Sequence, residues 1–170
     1  MKLEMQNNRS YQEQIGRLIS YAKGLGLVVF FRDFKKGDPA AEWTLDGTEI
    51  TLYIKKRQSK IQTIICLIHE LAHHLDHIYR NNREYNHELD AALDKNDKKS
   101  RYIVYQNELN GMKYWHTIYK ETNLTFPIRK LQMEMDYDDY WYRVYYETGR
   151  GPTTKQLLEF RRKLRKKYNY

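Results

Sequence analysis

An α+β fold, mostly helical with a small antiparallel sheet of about three strands ahead of its strongest helix, is the class this sequence predicts. Three patterns predict it. Apolar residues recur at helical spacing from Ser59 to Ile78, three short runs of β-formers lie between Leu27 and Ile54, and helical periodicity returns after residue 100. At 170 residues the chain is long enough for one domain with a real apolar core and too short for two comfortable ones. Residues 10–148 read as that domain, and residues 149–170 as a basic C-terminal helix or tail.

Taken in order, Ile15, Leu18, Ile19 and Ala22 give Tyr11 to Lys23 a helical spacing, and Gly24 and Gly26 stop it. Leu27 to Phe31 is a short apolar run. Ala41 to Leu45 and Glu49 to Ile54 follow, with Asp46-Gly47 between them as a hairpin signal. Ser59 can cap the helix that carries Ile61, Ile64, Ile65, Ile68, Leu71, Leu75 and Ile78. Residues 81–100 then turn charged, from Asn81-Asn82-Arg83-Glu84 to Asp94-Lys95-Asn96-Asp97-Lys98-Lys99-Ser100. They read as a loop or loosely attached insertion with one helical turn at Ala91, Ala92 and Leu93.

A second long helix is expected over about Arg101 to Lys120, with Ile103, Val104, Met112, Trp115 and Tyr119 as buried candidates. Phe126-Pro127 starts another, through Ile128, Leu131 and Met135. Residues 134–147 carry five acids against Arg143 and are crowded with Tyr and Trp, and Gly149, Gly151 and Pro152 then break the chain. Thr153 or Thr154 caps a final basic helix through Leu157, Leu158, Phe160 and Leu164.

The composition narrows the function classes. No run approaches the roughly 20 apolar residues of a membrane span, and Met1 to Ser10 lacks the apolar stretch of a signal peptide, so a cytoplasmic protein is expected. Cys66 is the single cysteine, which excludes an internal disulfide and a zinc ribbon of paired cysteines. Any metal must therefore be held by His and carboxylates. Of the net charge of +8, residues 150–170 alone supply +7, so the basic character belongs to the tail.

The chemistry concentrates in His69-Glu70-Leu71-Ala72-His73. On a helix, residues four apart lie about 40° apart, so the two imidazoles share one side, with Glu70 flanking them and the apolar stripe roughly opposite or beside them. Two imidazoles at this spacing can hold one zinc ion and leave the intervening glutamate beside the metal as a general base, which is hydrolysis chemistry.

A catalytic zinc site needs a third protein ligand and an open position. Glu108, on the second long helix, is the favoured candidate; Glu88 and Asp90 are competitors in a charged segment, and Glu84 stands behind them. His77 lies one turn further along and reads as a supporting or surface residue. His116, Tyr105 and Tyr119 are candidates to stabilise an oxyanion, and Asp76 or Cys66 to orient an imidazole.

These residues resemble the ImmA/IrrE metallopeptidase family, a gluzincin-like group within the zincin fold. The resemblance rests on His69-Glu70-Leu71-Ala72-His73, the later His77, and Glu108-Leu109-Asn110, which is similar to the family's Glu-Ala-Asn, and it covers about residues 10–120. It implies a zincin-like domain with His69, His73 and Glu108 as zinc ligands and Glu70 as the base. It also implies a phage, bacterial or mobile-element setting and a regulatory protein, such as a repressor, as substrate. Two other readings compete. A SprT-like protease acting on DNA-bound proteins also joins such a helix to basic character, although the missing cysteine ribbon counts against it. A nucleic-acid-binding or inhibitory protein would keep a structural or inactive metal site and bind through Arg161, Arg162, Lys163, Arg165, Lys166 and Lys167, unless those cations pair with the acids at 134–147.

Overall fold

The computed structural model describes residues 2–44, 47–56, 58–80 and 83–170, with side chains for 10–44, 47–56, 58–80 and 88–170. Among them the element order is α1 (Lys2–Gly24), β1 (Val28–Asp33), β2 (Ala41–Trp43), β3 (Glu49–Ile54), α2 (Lys60–Arg80), α3 (Arg83–Leu93), α4 (Lys98–Met112), α5 (Trp115–Glu121), α6 (Ile128–Thr148) and α7 (Thr154–Lys167). The class is α+β, as the sequence predicts. Two compact units divide the chain, one of Met1–Tyr79 with Lys113–Thr125 and one of Arg80–Met112 with Phe126–Tyr170.

In the first unit α1 starts well before the expected Tyr11 and stops where Gly26 takes the left-handed conformation, φ +85°. The Gly26 N–H donates to the Lys23 carbonyl at 3.0 Å and the Leu27 N–H to the Ala22 carbonyl at 2.9 Å, a closure that a residue with a Cβ adopts only with strain. Gln14 accepts from the Thr125 N–H at 2.8 Å and Arg17 donates to the Asn123 carbonyl at 2.6 Å, which ties α1 to the segment after α5.

The sheet has order β1-β3-β2 and is mixed, which corrects the all-antiparallel expectation. β2 and β3 pair antiparallel with Trp43 opposite Ile50, while β1 pairs parallel with β3 with Val28 opposite Glu49. A hairpin signal fixes only the pairing of the strands it joins. It says nothing of β1, which lies against the far edge of β3. Leu45 and Asp46 of the predicted hairpin lie outside the described residues. Ile50 and Leu52 point into the core and are fully buried, whereas the edge strand β1 leaves Val28, Phe30 and Phe31 exposed.

The helix α2 begins at a capping box. Ser59 Oγ accepts from the Gln62 N–H at 3.3 Å, and Gln62 Oε1 accepts from the Ser59 N–H at 3.1 Å. Ile64, Leu67, Ile68, Leu71 and Ala72 are fully buried, each large one contributing about 1.5–3 kcal/mol. The stripe ends at Leu75 rather than at Ile78, which is 44% exposed. Trp115 and Ile118 of α5 complete this core.

In the second unit, residues expected as a loop form α3, because Leu89 and Ala92 at helical spacing are both buried while Glu88 and Asp90 are exposed. The Asp97 carboxylate accepts from the Ser100 N–H at 2.9 Å and caps α4; that N–H first, and the Ser100 hydroxyl second, hold its carboxyl below the usual range. The expected helix over 101–120 is two helices. Asn110 and Gly111 are weak helix formers, and the chain turns at Lys113 and Tyr114, where the division between the units falls.

The acidic, tyrosine-rich stretch belongs to one 21-residue helix, α6. It ends at Gly149, φ +73°, where a Cβ would also meet Arg101 Nη1 at 2.9 Å. Arg101 Nε donates to the Tyr146 carbonyl at 3.0 Å and Asn96 to the Gly149 carbonyl at 3.1 Å, satisfying carbonyls at the helix end.

Thr153, one of the two expected caps, closes a capping box with Gln156 and starts α7, which packs on α6. Leu164 is buried, Phe160 stacks on Tyr140 with centroids 3.9 Å apart, Lys167 lies 2.6 Å from Asp136 and Arg161 lies 3.4 Å from Glu134. The acids at 134 and 136 are thus a docking strip for the inner side of the basic helix. No helix among the described residues is long and apolar enough to cross a membrane.

Candidate functional site

The rigid part of the site is α2, fixed at its start by the Ser59–Gln62 box and along its back by fully buried aliphatic residues. His69 and His73 lie on one side of it, one turn apart, with ring centroids separated by 4.7 Å. Their Nε2 atoms approach to 3.0 Å. Two nitrogens bound tetrahedrally to zinc at about 2.0–2.1 Å would sit about 3.3 Å apart, so the pair needs only a small adjustment to share one ion. His69 is half-buried, while His73 and Glu70 are buried.

Trp115, at the start of α5, meets His69 edge-on at 5.7 Å and limits its rotation. The sequence marks Trp115 only as a core residue and draws attention to its neighbour His116 instead. A tryptophan shielding an imidazole leaves no spacing signature by which to find it.

His74 and His77 turn to the flank covered by the hairpin, where Trp43 lies 6.1 Å from the first ring and 5.3 Å from the second. His77 is therefore a packing partner of Trp43. Nothing in the spacing of the sequence singles out His74. It is buried, and burial lowers its pKa, opposed by the backbone of Leu25 and helped by the neighbouring His77. A neutral imidazole is the form that this setting favours.

In the second unit Glu108 lies on α4 and is buried, whereas its competitors Glu88 and Asp90 are exposed on α3; the Glu84 side chain lies outside the described residues. Among the described residues one group of three could hold a metal ion, each offering one ligand atom: His69, His73 and Glu108. Two imidazoles and a carboxylate form the donor set of catalytic zinc sites that keep a fourth position open.

The supporting candidates divide. Tyr105 gives its hydroxyl to Asp139 at 2.9 Å and stacks on Tyr146, and burial followed by Asp139 pushes its pKa up to about 12. That hydroxyl is committed within the second unit. Burial also raises the pKa of Tyr119. His116 and Cys66 are half-buried, and Asp76 is buried.

Comparison with protein-family models, with curated proteins and with solved structures finds no match for this chain.

Proposed function

We propose that this chain is a zinc-dependent metallopeptidase, similar to the ImmA/IrrE type, that hydrolyses a peptide bond in a protein substrate. The observation that carries the reading is the pair of imidazole nitrogens converging to 3.0 Å on one face of α2, with the buried Glu70 between them in sequence. Glu108 is the third ligand in this proposal, supported by its membership of the group able to hold an ion and by the exposure of Glu88 and Asp90. Zinc held there supplies a Lewis acid that lowers the pKa of water toward neutrality and polarises the substrate carbonyl.

Glu70 is the proton carrier. Its carboxylate takes a proton from the attacking water and delivers it to the departing amine, so one residue serves in turn as base and acid. His69 and His73 act as neutral donors, and Trp115 keeps His69 oriented from one side. A regulatory protein such as a repressor is the proposed substrate class, on the resemblance alone, and the cytoplasm the proposed compartment, in keeping with the single cysteine.

Zinc-loaded protein incubated with a combinatorial peptide library should yield cleavage products by mass spectrometry. Glu70→Gln should retain about one zinc per chain and lose at least about 100-fold in rate, within the range for a general base. Equal cleavage by the variant, or none by either protein, contradicts the proposal.

A further inference from the structure

We propose that the outward face of α7 is a nucleic-acid-binding surface that grips the phosphate backbone of duplex DNA. The observation behind it is a division of labour among the cations of one helix. Arg161 lies 3.4 Å from Glu134 and over the ring of Tyr137, and Lys167 lies 2.6 Å from Asp136, so these two belong to the packing of α7 on α6. Among the described residues the ion pairs of α7 involve only these two cations. Lys155, Arg162, Lys163, Arg165 and Lys166 are all exposed.

The geometry of the exposed set is regular. At about 100° per residue, Lys155, Arg162 and Lys166 fall within about 40° of one another, with Lys163 and Arg165 on either flank. Glu159, the single acid on the helix, is exposed and falls on this same face between Lys166 and Lys163, so five cations and one acid leave the face a net charge of +4. The helix has 14 residues and so spans about 21 Å, the axial length of about six base pairs.

Like charges at positions three and four apart repel, as Arg162 does with Arg165 and Lys166. A row of phosphates relieves that repulsion, and release of the counterions condensed on DNA drives the association. An anionic membrane is the less suitable partner. Interfacial helices enter lipid through their apolar face, and the apolar face of α7 is already used, since Leu164 is buried and Phe160 stacks on Tyr140; the exposed Leu158 is a single aliphatic residue among the outward cations.

The test uses the full chain and a fluorescent duplex of about 20 base pairs, with anisotropy followed between about 50 and 200 mM salt. Wild type should bind with an affinity that falls steeply with salt. The variant Arg162→Gln/Lys163→Gln/Arg165→Gln/Lys166→Gln should bind at least about tenfold more weakly, with the slope of log affinity against log salt reduced by about three. Arg161→Gln/Lys167→Gln should keep the wild-type slope while unfolding at lower temperature. The inference is overturned if wild type fails to bind at the lowest salt. It is also overturned if the fourfold variant is unchanged, or if the inner-face variant flattens the slope as much, since binding would then follow net charge rather than this face. Binding to phosphatidylserine vesicles without binding to the duplex assigns the surface to membranes and overturns it equally. Glu70→Gln should bind the duplex as wild type does, so this result is independent of the proposed peptidase chemistry.

Discussion

In the first unit, α2 rests on Ile64, Leu67, Ile68, Leu71 and Ala72, all fully buried, and keeps Glu70, His73 and His74 buried with them; in the second, α6 and α7 meet through Phe160 on Tyr140, Lys167 on Asp136 and Arg161 on Glu134. One region obtains its rigidity from aliphatic packing and can hold imidazoles in low dielectric. The other is joined by a ring stack and by ion pairs whose cations, Arg161 and Lys167, stay partly exposed. Side chains that must bind a metal or move a proton need the first kind of setting, where position is fixed and pKa values respond to burial. Surfaces that meet a polyanion suit the second, where charge remains solvated and exchangeable.

The comparison is broken most severely by emptying the aliphatic core. Leu67→Ala should destabilise the first unit by about 2–5 kcal/mol, measured by urea unfolding, because it leaves a cavity under α2. A loss below about 1 kcal/mol would show that this region is not held by its aliphatic packing.

A pH series on metal-free protein sharpens the comparison. The folded-state pKa of His74 is depressed by burial, so the stability this group contributes is present above its unfolded value of about 6.5 and lost as pH falls through the folded value. Burial would raise the carboxyl of Asp136, but hydrogen bonds from Lys167, Tyr168 and Gln132 outweigh it and hold it below the usual range. Its contribution is therefore present above about pH 4 and lost only below that. Hydrogen exchange should loosen α2 below about pH 6.5 while α6 and α7 hold to about pH 4. His74→Leu should remove the first step and Asp136→Asn the second; simultaneous loosening of both regions would erase the distinction.

The smallest expected effect is at the start of α7. Thr153→Ala removes the capping box and should cost about 1 kcal/mol, read as faster exchange in the first turn of α7 with α2 unchanged.

The same contrast explains what was legible in the sequence. The helix α2 and the inward face of β3 stand out because aliphatic residues recur at a fixed period, and the caps at Ser59 and Thr153 follow from residue type. Periodicity is blunt where tyrosine does the packing. Tyr140 and Tyr146 are half-buried and stack on Phe160 and Tyr105, so α6 shows in the sequence as an acidic, aromatic stretch rather than as a helix with a defined face. Two apolar residues, Leu89 and Ala92, were too few to reveal α3 among its charges. The parallel partner of β1 carries no local signal, since it depends on where the chain returns.

Within the site, His69, Glu70 and His73 are fixed by their spacing, but the flanking contacts of Trp43 and Trp115 come from folding. Glu108 stood among several acids. Its burial distinguishes it from the exposed Glu88 and Asp90, and burial of a carboxylate is not written in a charged segment.

The metal content of purified protein tests the central claim most directly. Zinc titration should saturate at about one ion per chain in wild type, and His73→Ala and Glu108→Ala should each weaken binding by at least about tenfold. Wild type that takes up no zinc, or a Glu108→Ala variant that binds it as tightly as wild type, would contradict the account.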